Sequence, residues 1–355
     1  MPESAQPPGR RKVRTMEALS EAIGISRPTL SRYFHDADSV RHSTRERIEH
    51  ALERVDYVPN FFATRMNRKS SGLIGVIVPY YNDLFFTDLL GAIELAALEA
   101  GCTIVAQSSH GDPRIEARAS ETLRSMGVDG VIVAPLGRSS DTGAMARLSA
   151  ELPLAFVDSR PLDTSPGVDF VGTDNRQSMG LIVDYLCRTG VPPTFLAMPA
   201  VNSNSVEREQ AYRERMRALG HSPELIRAAP SGGTWNFEAY AHDVMDAHFA
   251  RGLHHGATLL CANDRLAIGV IRAAQRHGLF ARREEGRPPL RIAGHDDHPL
   301  SAFVTPALTT VAQDAPTIGR TVLHRLLDRV RGGRTGGGEP IETRCEAVLK
   351  VRESA

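Results

Sequence analysis

Thr15-Met16-Glu17-Ala18-Leu19-Ser20-Glu21-Ala22-Ile23-Gly24-Ile25-Ser26-Arg27-Pro28-Thr29-Leu30-Ser31-Arg32-Tyr33-Phe34-His35 reads as two short helices about a turn. Thr15 is placed to cap the first helix, and Glu17 sits in its first turn, where a carboxylate meets the positive end of the helix dipole. Gly24 supplies the backbone angles of the turn. Ser26 is placed to cap the second helix. Pro28 is tolerated just after it, because first-turn backbone donors have no intrahelical partner. Leu19, Ile23, Ile25 and Leu30 supply a small core, which leaves Arg27, Thr29, Ser31, Arg32 and His35 facing outward.

A third helix is expected from Ser43-Thr44-Arg45-Glu46, whose spacing is that of a capping box, with Ile48, Leu52 and Val55 as its buried stripe. Residues 14–58 thus read as an all-α helix-turn-helix head. A helix that offers Arg and small hydroxyls from its N-terminal end suits the DNA major groove, where Arg pairs bidentately with guanine and hydroxyls meet phosphate. On the helix pattern alone, a three-helix interaction module without nucleic acid fits as well.

Around the head, residues 1–13 read as a disordered basic tail and residues 59–71 as a hinge helix or linker. From Leu73 onward the texture alternates. Strands are expected at Leu73–Val78, Cys102–Gln107, Val128–Ala134, Leu154–Val157, Phe195–Met198, Ala257–Ala262 and Leu290–Ala293. Helices are expected at Asp88–Ala100, Arg114–Met126, Arg176–Arg188, Val206–Leu219, Phe237–Arg251 and Arg265–His277. Apolar strands separated by amphipathic helices argue for βαβ units and parallel sheets. The number of units predicts a two-lobed α/β body over 72–355, built from two doubly wound parallel sheets with a cleft between them. The expected division is 72–171 with 298–313 for the N-lobe, and 172–297 with 314–355 for the C-lobe. Gly332-Gly333-Arg334-Thr335-Gly336-Gly337-Gly338 lacks the Gly-Lys-Ser/Thr ending of a phosphate loop and reads as a surface connection.

Bulk properties bound the function. A chain of 355 residues with 41% apolar and 24% charged residues is expected to form two or three globular domains. Residues 1–69 carry 13 Lys/Arg against 9 Asp/Glu, a net of +4, and the remainder carries 29 against 33, a net of −4. A basic head on an acidic body suits a phosphate-binding module joined to something else. The longest apolar runs are strand-length, so no membrane partner is expected. Cys102, Cys187, Cys261 and Cys345 are scattered, and the N-terminus lacks an apolar signal region. Both features point to a reducing cytoplasm. No Gly-x-Ser-x-Gly elbow, Walker loop, GxGxxG or His-Glu-x-x-His motif is present, so neither catalytic residues nor a cofactor are expected. His295-Asp296-Asp297-His298 looks like a metal cluster, but neighbouring strand residues point to opposite faces, and no metal is expected there.

Ile25-Ser26-Arg27-Pro28-Thr29-Leu30-Ser31-Arg32, then Thr44-Arg45-Glu46-Arg47-Ile48, Tyr57-Val58-Pro59-Asn60 and Ile74-Gly75-Val76-Ile77-Val78 together resemble the LacI family of bacterial repressors, in order and spacing. The resemblance runs from Val13 to Ser354. It implies a homodimer whose heads read a pseudo-palindromic double-stranded operator under the control of a small-molecule effector, commonly a sugar or sugar derivative. The DNA contacts it implies are Thr15, Ser26, Arg27, Pro28, Thr29, Ser31, Arg32, His35, Asn60, Ala63 and Met66. Arg27 and Pro28 fall at the family's main specificity pair, and Arg32 at its shared base-reading arginine. His35 replaces the usual Asn. Pro59–Lys69 matches the hinge helix, with Met66 in place of the Leu that wedges into the minor groove. Arg65, Arg68 and Lys69 are phosphate contacts in that reading and solvated linker charge otherwise.

For the body, the resemblance points to Phe85, Phe86, Asp158, Arg208, Trp235, Asn263, Asp296 and Gln313 as effector contacts, with Asp83, Asn202 and Asn204 as weaker candidates. Most end a strand, where open α/β sheets bind ligands. Carboxylates, amides and an arginine suit vicinal hydroxyls, and aromatic faces suit sugar C–H groups. Phe85, Phe86 and Trp235 are also compatible with ordinary packing, and Arg208 with a surface helix. Asp264 is expected to cap the helix after it rather than enter the cleft, and His295 departs from the family's usual aromatic.

Overall fold

The computed structural model describes residues 11–58, 70–161, 167–227, 235–280, 289–332 and 339–355. The expected hinge helix, with Asn60, Ala63, Arg65, Met66, Arg68 and Lys69, lies outside the described residues, as do residues 333–338 of the glycine-rich connection. The chain forms two compact units, Met1–Ser71 and Gly72–Ala355.

In the first unit, α1 (Met16–Ile23), α2 (Arg27–His35) and α3 (His42–Leu52) enclose Leu19, Ile25, Leu30, Ile48, Val55 and Val13. The Thr15 hydroxyl caps α1 by accepting from the Ala18 amide at 3.2 Å, and Gly24 takes φ 65° in the turn. Three local expectations need correction. The tail is not featureless as far as residue 13, since β1 (Arg11–Lys12) pairs in parallel with β2 (Val55–Asp56) and Val13 is buried in the core. The Ser26 side chain makes no capping bond and shares a 2.8 Å hydrogen bond with the Thr29 hydroxyl instead. α3 starts at His42 behind an Arg41 without a side-chain cap, so the capping box at Ser43 does not form. A 3₁₀ turn at Ala37–Ser39, tied to α3 by the Asp38–Arg45 bond, delivers the chain into the helix early and leaves Ser43 inside its first turn.

The second unit holds the two parallel sheets. The larger has the order β13-β7-β6-β5-β3-β4, from β3 (Leu73–Val78), β4 (Thr103–Ser108), β5 (Gly130–Val133), β6 (Leu154–Val157), β7 (Asp169–Thr173) and β13 (Glu342–Cys345). The smaller is β11-β10-β8-β9, from β8 (Thr194–Leu196), β9 (Leu225–Ile226), β10 (Thr258–Cys261) and β11 (Arg291–Ala293). β12 (Thr310–Ala312) and β14 (Val348–Lys350) form an antiparallel pair beside it. Residues of β3 are buried along its whole length, as both faces of a parallel sheet require. The helices α4 (Leu84–Glu99), α5 (Pro113–Ser125) and α6 (Thr142–Glu151) belong to the larger sheet's lobe, and α7 (Asn175–Thr189), α8 (Ser203–Ala218), α9 (Phe237–Ala250) and α10 (Asp264–Arg276) to the other.

The expected lobe division fails at its C-terminal end. Leu308 and Val311 pack into the C-lobe core, so 298–313 belongs there. α11 (Ala315–Arg331) instead packs Ile318, Val322, Leu323, Leu326 and Leu327 into the N-lobe core, and β13 pairs with β7. The chain then returns to the C-lobe, where Ala347 is buried and the Ile292 amide donates to Ser354. The amphipathic pattern of α11 states that one face is buried but not against which sheet, and Glu342-Thr343-Arg344-Cys345 carries little apolar signal because β13 is an edge strand. Its neighbour β7 is anchored by the buried Asp169, which accepts from Arg329 at 2.7 and 2.9 Å and from the Ile341 amide at 2.8 Å.

Asp264 does not cap α10. Asn263 does, accepting from the Leu266 amide at 2.8 Å. Asp264, fully buried, accepts from the His298 amide at 2.8 Å, the Ser301 hydroxyl at 2.7 Å and the Thr310 hydroxyl at 2.5 Å, and so fixes the crossover between β11 and β12. Removing that carboxylate strands three donors, at about 1–3 kcal/mol for each that stays unsatisfied. Removing a cap costs about 1 kcal/mol. Asp264→Ala is therefore expected to lower the urea midpoint of unfolding well beyond Asn263→Ala; the reverse order would return Asp264 to a capping role.

Candidate functional site

The first unit presents one polar face. Thr15, Ser26, Arg27, Pro28, Ser31, Arg32 and His35 are exposed and Thr29 is half-buried. Arg27 and Arg32 stand on α2, the second helix of the pair. Arg27 Nη1 lies 2.6 Å from Glu17 Oε1, a partner that the sequence pattern did not single out.

In the second unit, one cleft of about 380 Å³ between the lobes is lined by Phe85, Phe86, Asp158, Arg208, Trp235, Asn263, Asp296 and Gln313, which are all eight of the expected residues. The weaker candidates Asp83, Asn202 and Asn204 line it too, together with Met198 and Phe237. Those last two were missed. Met198 follows the end of β8 and Phe237 opens α9, the same two places in the fold that supplied the others. Phe86 serves both readings, since it is also part of the N-lobe core.

Arg208, 3% exposed, is the centre of the cleft floor. Its Nε donates to Asn175 Oδ1 at 3.1 Å and its Nη1 to the Ala262 carbonyl at 2.8 Å, with Asp296 Oδ1 2.9 Å away. Asp296 also accepts from Gln313 at 2.8 Å, and Gln313 in turn accepts from the Thr173 hydroxyl. His295 is fully buried behind this group. Burial first, and then Arg208, push its pKa down to about 4, so the ring is neutral. Its Nδ1 then donates to Asp296 at 3.0 Å, and its Nε2 accepts from the Ser178 hydroxyl at 2.8 Å. Burial works to raise the Asp296 carboxyl, but Arg208 and His295 outweigh it and hold the net shift downward. The supposed cluster at 295–298 diverges. Asp297 pairs with Arg352 at 2.7 Å, and His298 Nδ1 accepts from the Leu300 amide. Among the described residues no group of three His, Cys, Asp or Glu is arranged to hold a metal ion.

Polar bonds join the lobes around the cleft, among them the Arg160 amide to the Ser203 hydroxyl at 3.1 Å. Arg265 on α10 donates to Asp83 at 3.0 Å and is itself held by Glu238 at 2.7 Å. Asn204 on α8 donates to Asp158 at 3.0 Å, and Arg344 on β13 donates to Glu207 at 2.9 Å. At Gly137, with φ 66°, a Cβ would come 2.6 Å from Asn202 Cα, so only glycine allows that approach of the two backbones. Trp235 packs against Tyr80 from the other lobe, with ring centres 5.7 Å apart. Asp158 and Asp296 leave their strands at φ 63° and 127°, conformations that cost a non-glycine residue about 1–3 kcal/mol each.

The family description "Bacterial regulatory proteins, lacI family" matches residues 15–60, and a periplasmic binding protein-like domain matches residues 183–355. The chain joins a LacI-family regulatory domain to a periplasmic binding protein-like domain. Among similar proteins, the HTH-type transcriptional regulator PtxS of Pseudomonas aeruginosa is 29% identical over 340 residues, covering 92% of each chain. The HTH-type transcriptional repressor CytR of Escherichia coli is 27% identical over 340 residues, covering 95% of each. Among solved structures, the lac repressor dimer bound to operator and the anti-inducer ONPF superimposes with a TM-score of 0.79 at 24% identity, over 96% of this chain and 98% of that one. That likeness establishes the fold, a helix-turn-helix unit and a two-lobed α/β body with parallel sheets.

Among the described residues, Asp158 is the cleft carboxylate with no direct ion pair. Burial pushes its carboxyl up to about 7, against the pull of Arg208 and with a further push from Asp296. Asp264 is raised to about 7 as well, by burial first and then by Asp296. An unfolded Asp titrates near 4. Between roughly pH 4 and pH 7 the folded chain therefore keeps protons that the unfolded chain has lost, and this contribution to stability declines as pH rises through the window. Asp158→Asn removes one of the two groups. Its unfolding free energy is expected to fall less between pH 5 and pH 7 than that of the unsubstituted chain, by up to about 1.4 kcal/mol per pH unit. Parallel pH profiles would show that Asp158 titrates normally.

Proposed function

We propose that the chain is a sequence-specific transcriptional repressor, a homodimer whose paired heads bind a pseudo-palindromic operator and whose cleft binds a small hydroxyl-rich effector that controls operator affinity. The observation that carries this reading is the convergence of all eight expected residues on one interlobe cleft, in a chain whose N-terminal unit exposes Arg27 and Arg32 on the second helix of a helix-turn-helix. The lac repressor, solved as a dimer on operator DNA, gives the precedent for dimer and operator.

The cleft suits an uncharged sugar or sugar derivative. Among the described residues, Arg208 Nη2 makes no hydrogen bond, the Asn263 amide donates only to the Met198 sulfur at 3.8 Å, and one oxygen each of Asp158 and Asp296 stays available. Hydroxyls both donate and accept, so they satisfy such a mixed set, while Phe85, Phe86, Trp235 and Phe237 offer apolar faces. An effector bound to both lobes favours one degree of closure over another by its differential affinity. That shift would pass to the hinge segments between body and head. The reading needs no catalytic step, and a regulator of this kind works in the cytoplasm. No described helix is long and apolar enough to cross a membrane.

Selection from a randomised duplex pool, followed by gel shift, tests the DNA half. One palindromic winner is expected, with affinity falling steeply as salt rises. Arg27→Ala is expected to relax preference at one base pair per half-site, at about 1–3 kcal/mol. Failure to select any sequence at low salt would refute the reading. A thermal-shift screen of neutral sugars, polyols and nucleosides tests the other half, since a ligand of the folded state raises the melting temperature.

A further inference from the structure

The Glu17–Arg27 pair has no evident purpose in folding. It joins the first turn of α1 to the first residue of α2 across the polar face, with side chains 56% and 64% exposed. Exposed pairs of this kind add about 0–1 kcal/mol to stability. A carboxylate on a phosphate-facing surface also opposes DNA binding, so its presence beside the main base-reading arginine calls for a reason.

We infer that Glu17 is a specificity-determining residue of the DNA-reading face, holding Arg27 by one edge so that the other edge is directed at a base, and cancelling the charge that would otherwise let Arg27 settle on phosphate. The inference rests on the proposed reading of the head as a DNA-binding module. Guanidinium carries five N–H donors in a rigid fork. Glu17 takes Nη1, which leaves the Nη2 and Nε edge for the two acceptors of a guanine. The rest of the first turn cannot substitute. Pro28 has no donor, and the Thr29 hydroxyl is bonded to Ser26 at 2.8 Å. Arg32 has no acidic partner within salt-bridge distance among the described residues, so the face pairs one compensated arginine with one bare arginine. Excluding water at an interface lowers the local dielectric, and the attraction between Glu17 and Arg27 strengthens there.

The test uses the full chain as wild type, Glu17→Ala, Glu17→Gln and Glu21→Ala. Glu21→Ala removes the same charge one turn further along α1. Each protein selects from a randomised duplex pool, and each is titrated with the wild-type winner and with a scrambled duplex at several salt concentrations. In Glu17→Ala, preference at the base pair read by Arg27 is expected to fall roughly fivefold, the lower end of what a bidentate base contact contributes. Binding to the scrambled duplex should tighten, and the salt dependence should steepen by about 0.9 per head, as for one added phosphate contact. Glu17→Gln, which keeps an acceptor for Nη1 without the charge, should retain more of the base preference while still gaining the steeper salt dependence. An unchanged preference in Glu17→Ala, or an equal change in Glu21→Ala, overturns the inference and leaves the DNA-binding reading intact. If the wild type selects no sequence, the DNA-binding reading falls and the inference falls with it.

Discussion

A buried guanidinium needs a counter-charge and partners for most of its donors, and Arg208 draws these from three separate parts of the body. Asn175 at the start of α7, the Ala262 carbonyl after β10 and Asp296 after β11 each pair with it. Gln313 after β12 joins through Asp296 and carries the network on to Thr173 at the end of β7. Strand ends that would otherwise be independent are held in one register around a single cation. The apolar lining of the cleft takes its position from that frame. A buried ion pair is weak evidence of net stability, because desolvation offsets most of the attraction. Its worth here is positional.

The rest of the body leaves room for a two-state response. Each lobe has its own apolar core and its own parallel sheet, and the chain passes between the lobes near residues 173–175, 312–315 and 345–348. The polar bonds that cross the cleft include Arg265–Asp83, Arg344–Glu207, the Arg160 amide to the Ser203 hydroxyl, and a single amide at Asn204–Asp158. A ligand with several hydroxyls adds bonds of comparable number to only one arrangement of the lobes. A difference of a few kcal/mol between arrangements is enough to move a population from one to the other.

Much of this was legible in the chain itself, for physical reasons that also explain the failures. β3 and β6 were read to the residue because strands buried on both faces are continuous apolar runs. Strand ends marked the candidate segments, because doubly wound sheets bind ligands there, but the individual cleft residues came from the family resemblance. β13 and β14 escaped because edge strands with polar faces carry no such run. Placing 314–345 in the wrong lobe followed from the same gap, since periodicity reports that a face is buried and says nothing of its partner. The Asp264 cap was a local expectation overridden by three tertiary donors. The Glu17–Arg27 pair depends on how two helices cross, which the spacing of residues along one helix does not encode.

The central claim is that the cleft around Arg208 and Asp296 sets how tightly the head holds DNA. Its most direct test is a reporter gene behind the selected operator, carried in cells that express either the wild-type chain or Asp296→Asn, and grown on a range of sugars and polyols. Asn tolerates the left-handed backbone of position 296 and keeps an acceptor for Gln313. The account predicts repression by both proteins without the effector once their folded amounts are matched, and release by at least one compound for the wild type that is lost, or moved to much higher concentration, in the variant. The same compound releasing both proteins at the same concentration would contradict it.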